Sequence, residues 1–149
     1  MKALRNSRAT KIIVDILMTI FLILSFIRWE DSNFAFHAIV GTACTLLFAL
    51  HVSIHWKWLN AVTKSFFSGK LNKALKGKYV IDMLLVVVWG IAILTGFLAI
   101  GYFSAGIESM SGFNRFHAVT SRVGLGLVPI HIFQHTTQIK SYLGIKTKK

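Results

Sequence analysis

The sequence predicts an all-α integral membrane protein, a four-helix bundle built from two similar helical hairpins. Three observations carry this expectation. Apolar residues make up 54% of the 149 and gather into four long runs. The formal net charge is +12, and most of it sits between and outside those runs. The second and fourth runs also resemble one another, and together they hold all six histidines of the chain.

The first span is expected over about residues 11–29, where an apolar stretch is interrupted only by Asp15. It is short of the roughly 20 residues that cross a bilayer, so Lys11 or Arg28 and Trp29 must serve as snorkelling ends. The basic segment before it looks like a signal peptide. No small-residue cleavage site follows, however, because Arg28, Trp29, Glu30 and Asp31 stand there, which predicts an uncleaved signal anchor. The second span covers about 34–58, the third 79–103 and the fourth 115–139. Within hydrocarbon, backbone polar groups must be satisfied inside the segment, so each span is a helix. A soluble four-helix core would need polar outer faces, whereas residues 84–89 of the third run are apolar without a break. One domain, 1–149, is expected.

Charge sets the expected orientation. Lys2, Arg5, Arg8 and Lys11 precede the first span. Lys57, Lys64, Lys70, Lys73, Lys76 and Lys78 separate the second from the third, and Lys140, Lys146, Lys148 and Lys149 close the chain. Glu30, Asp31 and Glu108 fall on the opposite side. The positive-inside rule then places both termini in the cytoplasm, with the spans in a bacterial inner membrane. A nucleic-acid binder would array its basic residues along a folded soluble face, so no nucleic-acid partner is expected. Cys44 is the only cysteine, which excludes an intrachain disulfide and any CxxC or CxxCH redox or haem-attachment motif.

The histidines carry the chemistry. His37 and His51 are 14 residues apart, as are His117 and His131, and His55 and His135 each follow four residues later. Phe36-His37-Ala38-Ile39 answers Phe116-His117-Ala118-Val119 at an offset of 80, the mark of an internal duplication. A lone helical histidine is usually a packing residue, but strongly polar groups in hydrocarbon are costly, and two matching sets are hard to explain by packing. Fourteen residues turn a helix through about 1400°, close to four whole turns, so both histidines share a face about 21 Å apart along the axis. Two large flat cofactors would fit at that spacing. The second and fourth spans run parallel, so His37 and His117 can supply two imidazoles to one iron, and His51 and His131 to another, as a low-spin haem requires. Eighteen residues make five turns, so His55 and His135 share the face as well, and spacing alone leaves open which pair holds the inner iron. Gly41 and Ser121, four residues after each first histidine, and Cys44 and Gly124, seven after, are small. Such residues let either a porphyrin or a neighbouring helix approach.

Two histidines fourteen apart on each of two parallel helices resemble the haem-binding core of the respiratory cytochrome b superfamily. The His51-x-x-x-His55-Trp56-x-Trp58 stretch is also similar to a family of small four-span bacterial membrane proteins of unassigned function. The resemblance covers the second and fourth spans, and the first and third only in hydropathy. It implies two b-type haems, with His37 and His117 on one and His51 and His131 on the other. It also implies an extracytosolic, flavin-binding redox partner. On that implication His55 and His135 take a propionate or quinone role.

Other polar groups complete the expectation. Arg115 and Arg122 suit haem propionates, since guanidinium binds carboxylates bidentately, although Arg115 also suits the interface. Asp15 and Asp82 fit either ion pairs with Lys11 and Lys78 four residues earlier or, with His55 and His135, a quinone pocket. Pro129 predicts a kink before His131. Trp29, Trp56 and Trp58 suit the interface, and Gly90, Gly96 and Gly101 suit close helix contact. The leading functional expectation is electron transfer across the bilayer between a quinone pool and an extracytosolic acceptor. The chain would then be a quinol-linked oxidoreductase or the cytochrome b subunit of one. The alternative is a membrane transporter or sensor in which His51, His55, His131 and His135 ligate zinc, copper or iron.

Overall fold

A computed structural model describes residues 8–27, 34–106 and 111–145. Arg28, Trp29, Glu30, Asp31, Glu108 and the terminal Lys2, Arg5, Lys146, Lys148 and Lys149 lie outside the described residues. Five helices follow in order: α1 Arg8–Phe26, α2 Phe34–Phe67, α3 Lys73–Ser104, α4 Ser111–Gln134 and α5 Thr136–Tyr142. No strand occurs among the described residues. The first four helices are long and apolar enough to cross a membrane, as in a multi-pass membrane protein. Large apolar residues such as Ile39, Leu46, Val87 and Leu94 are exposed, as suits contact with a lipid bilayer.

Two helices are longer than hydropathy indicates. α2 has 34 residues and α3 has 32, or about 51 and 48 Å at 1.5 Å per residue. The hydrocarbon core is only about 30 Å thick, so both helices continue past it into lysine-bearing turns. Apolar composition marks where the membrane ends, whereas capping marks where the helix ends. α2 stops in a glycine-terminated Schellman motif: Lys70 N–H donates to Ser65 O at 3.0 Å, and Gly69 N–H to Phe66 O at 3.1 Å. Gly69 there adopts φ 73°, which a side chain would strain. Asn72 caps α3, its Oδ1 accepting the Leu75 N–H at 2.9 Å. Phe66 and Tyr79 stack across this turn with ring centroids 4.7 Å apart. Gly144 ends α5 in the same way, with Ile145 N–H on Lys140 O at 2.9 Å.

The chain forms two compact units, Met1–Ala61 and Val62–Lys149. Inside the first, α1 and α2 run antiparallel, as contacts from Asp15 to His51, Met18 to Cys44 and Ser25 to His37 require. Val14, Leu22, Val40 and Ile54 are buried there. Inside the second unit α3 and α4 run antiparallel, joined by Asp82 to His131 and Ala92 to His117. Leu85, Ala92, Thr95 and Ser121 are buried in that unit. Within the spans, hydroxyls close back onto their own helices, as Thr42 on Ala38 O at 2.7 Å and Thr45 on Gly41 O at 2.9 Å, so lipid meets few open donors.

The fourth span differs most from expectation. Pro129 stands inside α4, but the helix ends at Gln134, and His135 forms the turn to α5. The continuous span expected to about 139 is therefore broken at a histidine.

Candidate metal and cofactor centre

Each unit carries the same set of imidazole contacts. In the first, His37 Nδ1 donates to the Ser25 carbonyl at 3.0 Å, and His51 Nδ1 donates to Asp15 Oδ1 at 2.7 Å. In the second, His117 Nδ1 donates to the Ala92 carbonyl at 2.9 Å, and His131 Nδ1 donates to Asp82 Oδ1 at 2.7 Å. A carbonyl oxygen can only accept, so the proton of His37 and of His117 is on Nδ1, and the lone pair of each neutral ring is on Nε2. Thr95 Oγ1 also lies 3.2 Å from His117 Nδ1 and is itself tied to Ile91 O. Carboxylates fix the other two rings in the same sense, with bonds as short as charge-assisted ones.

The acceptors repeat as the histidines do. Asp15 and Ser25 are ten residues apart on α1, and Asp82 and Ala92 are ten apart on α3, at an offset of 67. Lys11-x-x-x-Asp15 and Lys78-x-x-x-Asp82 match at that same offset. Both helices of the hairpin are thus duplicated, with a loop between them of different length in each copy. The anchoring carbonyls of Ser25 and Ala92 were not legible from residue type, since backbone oxygens leave no letter. The 67-residue offset of the two aspartates was the available signal.

His55 and His135 sit differently. His55 stacks on His51 with ring centroids 4.8 Å apart and an interplanar angle of 44°. His135 meets His131 in nearly the same way, at 4.7 Å and 42°. The His135 Nε2 lies 3.2 Å from both oxygens of Asp82, and its Nδ1 bonds the Gln138 side chain. Both ring nitrogens of His135 are thereby engaged by the chain, and His131 bonds the same carboxylate through Nδ1. Asp82 is buried and shared between two imidazoles, and Asp15 is more open. Asp15 thus anchors His51, and Asp82 anchors His131 and meets His135.

Each unit gathers a carboxylate and two imidazoles whose ligand atoms lie within 4.8 Å of one another: Asp15, His51 and His55, and Asp82, His131 and His135. Such a set suits zinc or non-haem iron. His37 and His117 belong to neither cluster.

The small residues divide. A Cβ at Gly41 would meet nothing within 4 Å, which leaves that stretch of backbone approachable. At Gly124 a Cβ would fall 3.0 Å from Trp89 Cε2, so this glycine serves packing of α4 on α3. Gly96 makes room for the His117 ring, whose Cε1 lies 3.1 Å from where a Cβ would be. Arg115 and Arg122 are exposed on α4, and neither forms an ion pair with a carboxylate among the described residues. Buried Gln134 Oε1 has no hydrogen-bond partner among the described residues.

The fold and these centres define a helical multi-pass membrane protein with two matched histidine–aspartate clusters. No protein-family model, curated protein or solved structure matches the chain.

Proposed function

We propose that the chain is a b-type membrane cytochrome carrying two haems, with His37 and His117 as axial ligands of one iron and His51 and His131 of the other. The observation that carries this reading is the repeated anchoring of Nδ1 in all four rings. Haem and metal-ligating histidines are oriented by a bond from the other ring nitrogen, which sets the tautomer and the direction of the lone pair. The haems would supply one-electron transfer, and the chain's part is to hold the imidazoles, keep water out and balance charge. Arg115 and Arg122 suit the propionates, and Gly41 the porphyrin edge. A quinol would serve as one redox partner and an extracytosolic protein as the other, with both termini of the chain cytoplasmic.

Purified protein in mild detergent should show sharp reduced b-type bands and two haems per chain by pyridine haemochrome. His37→Ala and His117→Ala should each remove the same haem, His51→Ala and His131→Ala the other, and His135→Ala neither. Retention of both haems in all four ligand variants would sink the assignment.

The matched Asp-His-His clusters favour a second reading, a zinc or iron membrane transporter or sensor. It leaves the anchoring of His37 and His117 unexplained. Zinc or iron bound stoichiometrically without haem, in protein expressed with haem supplied, would decide for it.

A further inference from the structure

The two histidine pairs are anchored to chemically different acceptors, and the difference is the same in both copies of the hairpin. His37 and His117 donate to neutral carbonyls, those of Ser25 and Ala92. His51 and His131 donate to carboxylates, Asp15 and Asp82, at 2.7 Å in each case. A duplication that drifted freely would not keep aspartate at the matching position of both copies inside apolar helices, where a carboxylate is costly. Hydrogen bonding to a carboxylate makes an imidazole a stronger electron donor than bonding to a carbonyl does. A more strongly donating ligand stabilises the higher oxidation state of an iron.

We infer that Asp15 and Asp82 are positioning residues that set redox asymmetry: by holding His51 and His131 as electron-rich ligands, they give the iron of that pair a lower reduction potential than the iron of the His37 and His117 pair. This rests on the di-haem reading proposed above. Electrons at equilibrium therefore rest on the His37 and His117 pair, at the end of the spans away from the lysine-rich turn. His135, whose Nε2 lies 3.2 Å from both oxygens of Asp82, helps hold that carboxylate in place and is not itself a ligand.

The test is a spectroelectrochemical titration of the full-length holoprotein in detergent. Wild type should give two one-electron waves. The variant Asp15→Asn/Asp82→Asn keeps an oxygen acceptor for each Nδ1–H and removes the charge. Its lower wave should rise so that the ferrous-to-ferric ratio at fixed potential increases tenfold or more, about 59 mV for one electron. The upper wave should stay where it is, and Asp15→Glu/Asp82→Glu should restore the lower one. An unmoved lower wave in an Asn variant that holds both haems overturns the inference, as does movement of the upper wave alone. If the Asn variant loses haem, single ligand variants decide. The wave lost in His51→Ala must be the lower and the wave lost in His37→Ala the upper, and the reverse order overturns the inference. Wild type without haem overturns the di-haem reading itself, an outcome distinct from two haems of the wrong order.

Discussion

At His117 the positioning of one ring depends on a residue with no side chain. The imidazole lies over Gly96, 3.1 Å from the Cβ that glycine lacks, while Nδ1 reaches the Ala92 carbonyl one turn earlier on α3. A branched side chain at 96 would crowd that space, so the ring must shift from its carbonyl. Overpacking of this kind costs about 1–3 kcal/mol. Gly96→Val should therefore lower thermal stability in detergent and, on the proposed di-haem reading, abolish the haem of the His37 and His117 pair while the second haem persists. Gly90→Ala, where a Cβ meets nothing within 4 Å, is the control and should leave the spectrum unchanged. The sequence marks Gly96 only as a small residue on an apolar helix. Its partner 21 residues away on another helix shows only when the hairpin is folded, because nothing in residue type says which ring lies above it.

Among the elements, the α2–α3 turn shows how much was readable and where hydropathy misled. The four spans, their order and their antiparallel pairing within each hairpin follow from apolar runs and short connections. The ends of α2 and α3 do not, because the runs fade near residue 58 and resume near 79 while both helices persist to Phe67 and from Lys73. Their limits are set by Gly69, through its left-handed backbone, and Asn72, through its side-chain cap. Histidine spacing likewise marked the two helices that carry the anchored imidazoles, but the anchors on α1 and α3 needed the aspartates to be read as a matched pair. Capping also predicts the energetics of this turn. Asn72→Ala removes the acceptor for Leu75 N–H and should cost about 1 kcal/mol. Gly69→Ala places a Cβ in the left-handed region and should cost about 1–2 kcal/mol. Both should lower the melting temperature of the detergent-solubilised protein and leave haem content per folded chain unchanged, since neither residue touches a histidine. Loss of haem in either variant would mean that the turn, and not the spans, organises the ligands.

Over the whole molecule, the direction in which the spans cross the membrane turns a list of ligands into a sided device. α3 separates a turn rich in lysine from a connection that contains Glu108, and the lysines of a multi-pass protein collect on the cytoplasmic side. Ser68 lies exposed in the first connection and Ala105 in the second, with the whole of α3 between them. In a Cys44→Ser background, Ser68→Cys should resist a membrane-impermeant maleimide in intact cells and react once the inner membrane is permeabilised. Ala105→Cys should react without permeabilising that membrane. Labelling of both from one side would contradict the crossing of α3 and with it the four-span reading. Exchange of the two patterns would keep the spans and invert the protein. Orientation then fixes what the anchoring asymmetry does. His51 and His131 lie toward the lysine-rich turn on α2 and toward the end of α4, so the carboxylate-anchored pair faces the cytoplasm when Ser68 does. The lower potential at that end would make outward electron movement the downhill direction, from a membrane-soluble quinol toward an extracytosolic acceptor. An inverted pattern would reverse that slope without changing a single ligand.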